Sequence, residues 1–441
     1  MTDQYVQQPQ FVDDEGLDSV EDRRFVRRSS RQIGIPNEVV PLTKERKITF
    51  WGTLDKPMIM IIGVLLAVGL MMVYSTTFNW SQSQWGSQTV LLMRHVQNMV
   101  LGLIAMSVFI VLDYRVMRRL AVIIMLMAVS FLIAVLLFGD DTFGARRALI
   151  NGRFQPGEFS ELAIIIYMSA WLGSKNMRIR SLAYGFVPFV ILVGIVCVLV
   201  ILQPDFSTAT VIFITSGTMF FLAGADLRQI AIALTFAVVS GGLLIQLPSL
   251  SYAQERIDSF VAGFQDLLQT SYHTQQALIA FIYGGWTGVG LGEGEMKFGA
   301  LPAPHTDSVF AVIGEELGVI GAVTIVLIYI AFVWRGFQIS RNASDAFGAL
   351  LASGVTIWIA AKALLNIAVM TALLPPTGLP LPFISFGGSS LVVLLVGIGL
   401  LLSVHRGTVL RQNTAERRIP IARYDRGGRN GGARVSRASR R

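Results

Sequence analysis

The stretch Pro57–Thr77, PMIMIIGVLLAVGLMMVYSTT, holds no charged residue. A helix of that length rises about 30 Å, the thickness of a bilayer's hydrocarbon core. An amphipathic surface helix would show a polar face, and this run has no polar side chain before Tyr74. It therefore reads as a membrane-spanning helix. Working outward, further apolar runs occur at about 93–112, 118–138, 159–174, 183–202, 206–224, 229–247, 308–334, 346–374 and 383–404. The sequence thus predicts an all-α polytopic membrane protein with ten transmembrane helices.

The composition agrees. Of 441 residues, 53% are hydrophobic and 15% charged, and the mean hydropathy is +0.60. Soluble domains carry about 25% charged residues, so an ordinary soluble enzyme and a disordered chain are both excluded. The single cysteine, Cys197, excludes an intrachain disulfide framework. The net charge of +8 is a property of the end of the chain, because residues 406–441 carry 11 arginines and 2 acids. That Arg/Gly-rich tail fits topology and anionic lipid, not nucleic acid.

Three regions follow. Residues 1–56 are polar and read as a disordered cytoplasmic extension without a cleavable signal peptide. Residues 57–405 form the membrane domain. Residues 406–441 read as a disordered cytoplasmic tail. Lys and Arg set the orientation. With both termini cytoplasmic, the inner loops hold nine basic residues (Arg115, Arg118, Arg119, Lys175, Arg178, Arg180, Arg228, Arg335, Arg341). The outer segments hold five (Arg146, Arg147, Arg153, Arg256, Lys297). One loop is long: residues 248–307, between helices seven and eight, on the extracytoplasmic side. It contains amphipathic stretches and a glycine-dense turn, and reads as partly helical against the outer leaflet.

Ionisable groups within or beside the membrane are candidates for function. Asp266, in FQDLLQTSYHTQQ, reads as a general base or as a helix cap. His305 and Asp307, in PAPHTDSVF, suit metal binding or a proton relay, or else Thr306 or Asp307 caps the next helix. Glu315 and Glu316 are adjacent carboxylates that need a partner other than lipid. Arg146, Arg147 and Arg153, with Glu158 and Glu161, suit diphosphate binding or mutual ion pairing. Lys362 is the only lysine deep in an apolar run and must snorkel, pair or line a polar cavity. Asp205 in LQPDFST fits a cap. The glycines from Gly288 to Gly294 are no nucleotide fingerprint, since no strand precedes them. Four histidines and one cysteine leave a structural zinc site without ligands.

Several of these stretches together resemble the SEDS family (shape, elongation, division and sporulation), which includes FtsW, RodA and SpoVE. The carrying residues are MMVYSTT, GARRALINGRFQPGE, LQPDFSTA, SYHTQQALIAFIYGGWTGVGLGEG, LPAPHTDSVFAVIGEELG and PPTGLPLPFISFGGSSL, spread over about 55–405. The resemblance implies a peptidoglycan glycosyltransferase that polymerises lipid II at the outer face of the bacterial cytoplasmic membrane. It implies a class B penicillin-binding protein transpeptidase as partner, among other divisome proteins. It puts the essential acid on Asp266, six residues before Tyr272, with Asp258 as the competitor. Lipid II and its diphosphate would then meet Arg146, Arg147, Arg153, Glu158, Lys362, His305, Asp307 and Glu316. No metal ligand is assigned, and a divalent cation (Mg²⁺ or Mn²⁺) is the one cofactor the chemistry admits.

The chain departs from the family pattern in places. The Asp-Pro-X-Gly-X-Gly-Tyr pattern becomes DLLQTSY, Arg-Arg-Trp becomes Arg146-Arg147-Ala148, and Gln-Pro-Ser-Glu-X-X-Lys becomes QPGEFSE. Glu161 thus stands where a lysine is usual, and Lys362 is the candidate to supply the lost cation. The extended termini and FISFGGSSL favour a division role over RodA-like elongation. A lipid II flippase and a non-catalytic divisome scaffold are the competing functions.

Overall fold

The computed structural model describes residues 49–142, 145–148, 155–174, 178–245, 251–263 and 270–426. Asp266 and Arg153 lie outside them, as does the N-terminal extension up to residue 48. The described residues all belong to one compact unit.

The first helix, α1 (Lys56–Trp85), begins with Asp55, whose carboxylate accepts from Met58 N–H at 3.0 Å, and with Pro57 in its first turn. This is a standard start: the acid satisfies an orphan N–H and proline needs none. The helix ends at Gly86, whose φ of 66° only glycine adopts readily. It outruns the expected span by eight residues. Helices α2 (Val90–Val111) and α3 (Arg115–Phe138) follow. An antiparallel hairpin, β1 (Asp140–Thr142) and β2 (Ala145–Ala148), joins α3 to α4 (Pro156–Leu172). A single π-type turn, Leu182–Phe186, leads into α5 (Val187–Ile201). Helices α6 (Phe206–Leu222) and α7 (Leu227–Ile245) complete the first set.

The long loop carries α8 (Ser251–Gly263) and α9 (Tyr272–Gly284), as its amphipathic stretches lead one to expect. The eighth expected crossing is two helices, α10 (Val309–Glu316) and α11 (Gly318–Arg341). The break lies at Gly318, which has a φ of 69°. A Cβ there would stand 2.4 Å from Gly288 N and 2.5 Å from Trp286 O. The glycine-dense turn of the loop is thus pressed against the joint, and only glycine fits. Helix α12 (Ala346–Met370) follows, then α13 (Ser389–Arg426).

Among the described residues, seven helices are long and apolar enough to span a bilayer, and α6 and α7 are shorter apolar helices. With α4, they occupy the ten expected positions, so the chain is a multi-pass membrane protein. Two expectations are corrected. The last span begins at Ser389, not 383, because Pro380, Pro382, Gly387 and Gly388 oppose helix formation ahead of it. The helix also continues to Arg426, through a segment read as disordered. Glycines of the tail cluster after residue 426; within 406–426 Gly407 and Pro420 are the two residues that oppose a helix, and the rest admit one.

Helix α12 is the axis. In its most apolar stretch 72% of residues are buried, against 17% for α2 and 28% for α3. It packs against α4, α6, α9, α11 and α13. Outward faces carry Leu126, Leu137, Val238, Leu243, Ile330 and Trp334, all exposed and apolar. That is the inverse of a soluble surface and suits lipid contact.

Gly318→Ala is expected to lower the thermal unfolding midpoint in detergent. A non-glycine residue in this conformation costs on the order of 1–3 kcal/mol before any clash is counted. An unchanged midpoint would contradict a joint fixed by backbone contact.

Candidate active site

At the end of the bundle that carries the long loop, the N-termini of four helices open on one cavity of about 350 Å³. Helix α4 brings Gln155 and Glu158, α6 brings Asp205 and Thr208, the turn before α10 brings Thr306 and Asp307, and α13 brings Gly387–Ser390. Each helix start exposes N–H groups without intrahelical acceptors and the positive end of a macrodipole. One end, that of α6, is occupied by the chain's own acid. Asp205 accepts from Thr208 N–H at 3.1 Å and from its hydroxyl at 2.9 Å. The capping alternative for Asp205 is therefore correct. Glu158 sits in the first turn of α4.

Behind the cavity wall lies a buried ion cluster. The Lys362 ammonium stands 2.5 Å from Glu158 Oε2 and 2.6 Å from Glu161 Oε2. Trp358 Nε1 donates to the same Glu161 oxygen at 2.8 Å. All four side chains are buried. The spacing of Glu158 and Glu161 puts both on one face of α4, and Trp358 and Lys362 share one face of α12 by the same rule. Removing either partner of such a pair leaves an uncompensated charge. Lys362 is thus the counter-cation of the Glu158 and Glu161 carboxylates and does not line the main cavity.

A second buried pair organises the loop. Lys297 Nζ lies 2.6 Å from Glu316 Oε1, and Ser75 donates to the same oxygen at 2.6 Å. Glu315 Oε1 accepts from the N–H groups of Glu295 (2.7 Å) and Met296 (3.0 Å). The adjacent carboxylates therefore clamp residues 292–297 onto α10 and α1. Glu316 is held in that clamp and is absent from the cavity wall.

His305 is also displaced from the cavity. Its ring stacks on Trp80 at 4.8 Å between centroids and meets Phe386 edge-on at 5.9 Å. Burial pushes its imidazole below the ordinary value of 6.5. His273 is held low by burial and then by Arg256, and its Nε2 lies 2.6 Å from Ser308 Oγ. Asp307 does line the cavity, and its carbonyl accepts from Asn366 Nδ2 at 2.8 Å. It is not the cap of α10, whose N-cap residue is Ser308. Arg146 and Arg147 lie on β2, immediately ahead of the segment leading to α4. Asp258 is on α8 and exposed.

Residues that sequence reasoning passed over include Arg256, whose Nη1 donates to Pro376 O at 3.2 Å beside the cavity. Ser389 accepts from Gln155 N–H at 3.2 Å and joins α13 to α4. A Gly-Gly-Ser-Ser run directly before an apolar stretch is a helix-start signal, and was available for that purpose.

The FtsW/RodA/SpoVE family model, described as cell cycle protein, matches residues 56–409. The chain belongs to that family. Among FtsW/RodA/SpoVE relatives, it is 36% identical over 358 residues to stage V sporulation protein E of Bacillus subtilis, covering 80% of this chain and 97% of that one. It is 34% identical over 366 residues to the probable peptidoglycan glycosyltransferase FtsW of Trichlorobacter lovleyi, covering 82% and 96%. Among solved structures, a chain of a peptidoglycan synthase complex that coordinates polymerization and crosslinking matches with a TM-score of 0.65 at 25% identity, over 80% of this chain and 98% of that one. The rod shape determining protein RodA of Thermus thermophilus matches with a TM-score of 0.60 at 25% identity, over 81% and 98%.

Lys362→Met is expected to destabilise the protein by about 3–5 kcal/mol, because it strands two buried carboxylates. Adding Glu161→Lys returns a cation beside Glu158 and is expected to recover most of the loss. Thermal unfolding of the purified variants checks this. A Lys362→Met protein with wild-type stability and activity would contradict the compensating role.

Proposed function

We propose that this chain polymerises lipid II into β-1,4-linked glycan strands. Our reading places the reaction at the outer face of the bacterial cytoplasmic membrane, with both termini cytoplasmic. The observation that carries it is the cavity where helix N-termini converge, at the end of the bundle bearing the long loop. Such a cavity suits a substrate that enters from the lipid with an anionic head group. The relatives named for peptidoglycan glycosyl transfer support the same chemistry, and the basic bias of the opposite loops supports the orientation.

Lipid II presents an α-linked sugar on a diphosphate, and the product is β-linked, so one displacement with inversion suffices. The acceptor hydroxyl oxygen attacks the anomeric carbon, and the bond from that carbon to the diphosphate oxygen breaks. The hydroxyl proton passes to a carboxylate, and the diphosphate leaves with the bonding pair. We assign the base to Asp266, on the family resemblance of its segment. A positioned base contributes about 10²–10⁴-fold. The leaving group needs cationic or N–H stabilisation, which helix starts and the arginines Arg146, Arg147 and Arg153 can supply. Among the described residues no group of three or more His, Cys, Asp or Glu side chains is placed to hold a metal ion. A divalent cation, Mg²⁺ or Mn²⁺, stays the one cofactor the chemistry admits, and each step above is carried by this chain's own groups.

We assign the partner as a class B penicillin-binding protein, since glycan strands need crosslinking and a related chain works within a synthase complex. We assign the role to septal wall synthesis, on the FISFGGSSL segment and the long termini.

Purified protein, alone and with its cognate class B penicillin-binding protein, is to be given labelled lipid II. Long strands are expected from the wild type, and an Asp266→Ala variant should lose about 10²-fold or more in rate. Strands from neither protein would favour a flippase or scaffold. Equal strands from both would remove Asp266 from the mechanism.

A further inference from the structure

Four helix starts meet at the cavity, and they are not equivalent. Helix α6 is capped by its own carboxylate, Asp205, and α4 carries Glu158 in its first turn, paired with Lys362. Helix α10 starts behind Ser308, whose hydroxyl donates to Pro302 O at 2.6 Å. Helix α13 starts differently, with Gly387-Gly388-Ser389-Ser390 and no acid. Among the described residues, no side chain or loop carbonyl accepts from the N–H groups of Gly388–Leu391.

A helix start alone is no site, but here a second observation points the same way. Ser390 is 7% exposed and lines the cavity. Its hydroxyl has no hydrogen-bond partner among the described residues. With the rest of the residue enclosed, that hydroxyl is open only toward the cavity and is free to donate to a group bound there. The Thr377 hydroxyl, on the same cavity wall, is likewise buried and unpartnered. Space is open as well: a Cβ built on Gly388 meets nothing within 4 Å. The backbone can therefore be approached closely, as anion sites at helix starts require.

We infer that the first turn of α13 seats the diphosphate of the lipid-linked sugar, with the N–H groups of Gly388–Leu391 and the hydroxyl of Ser390 as donors. This rests on the polymerase reading and names a binding element for it. The chemistry is apt for a leaving group. Negative charge grows on the bridging oxygen as the sugar departs, and fixed N–H dipoles stabilise it without rearrangement. The carboxylates around the cavity do not oppose this equally. Glu158 is paired with Lys362, and Asp205 is bonded to Thr208.

The decisive variant is Gly388→Asp. Aspartate is a favoured residue ahead of a helix, and Gly388 has no positive φ that would exclude it. The variant should be at least as stable as the wild type while its own carboxylate occupies the anion site. Full-length protein in nanodiscs is titrated with inorganic pyrophosphate and, separately, with lipid II, without turnover. Loss of about tenfold or more in affinity for both is expected, with an unfolding midpoint equal to or above wild type. Ser390→Ala should lose affinity in the same direction by a smaller factor. Polymerisation is then measured on the same preparations. Wild-type affinity of Gly388→Asp for both probes would overturn the inference, even if the wild type polymerises lipid II. Loss for lipid II with unchanged pyrophosphate affinity would also overturn it, because the recognised group would lie elsewhere on the lipid. Normal binding behaviour with no polymerisation by any protein would instead sink the polymerase reading and leave the anion site standing.

Discussion

The ammonium of Lys362, held between Glu158 and Glu161, is the contact on which this architecture turns. It joins α4 to α12 in the most buried part of the bundle. Desolvating a lone charge there would cost several kcal/mol, and only close pairing offsets it. Once α4 is fixed to α12, its first turn has one position, and Glu158 becomes part of the cavity wall. The start of α13 is then tied to α4 through the Gln155–Ser389 bond. One ion cluster thus sets the relation of three helices around the cavity.

The second buried pair, Lys297 with Glu316, does for the loop what the first does for the bundle. It holds the glycine-dense turn against α10 and the end of α1, and the Gly288–Gly318 contact closes the joint. Charges in the apolar part of this protein are therefore mostly structural. Chemistry is left to the helix starts, to Asp307 and to the loop. That division matters for reading any membrane enzyme, where a buried charge suggests function by default. Here three such residues, Lys362, Glu315 and Glu316, are accounted for by partners within the chain.

Much of the fold was legible because the bilayer imposes a length. Ten apolar runs gave ten helix positions. What was not legible depends on contacts distant in sequence. The break at Gly318 follows from Trp286 and Gly288 pressing on it, which no local pattern reveals. The hairpin at 140–148 has strands of three and four residues, too short to show a period. Of the site, the link of Lys362 to Glu161 was readable as a lysine gained where another was lost. The neighbours of Glu316 and His305 within the chain, Lys297 and Trp80, were not legible, because an ionisable residue near a membrane surface looks the same whether it faces a partner or a substrate. The start of α13 was quoted only as a signature, since glycine and serine carry no charge to attract notice.

The most direct test of this account is a structure of the full chain in nanodiscs with intact lipid II bound. The expected result is a diphosphate within hydrogen-bond distance of the first turn of α13, in the cavity bounded by α4 and α6, with Lys362 still bridging Glu158 and Glu161. A head group bound outside that cavity, or a Lys362 turned from its carboxylates to the substrate, would contradict it.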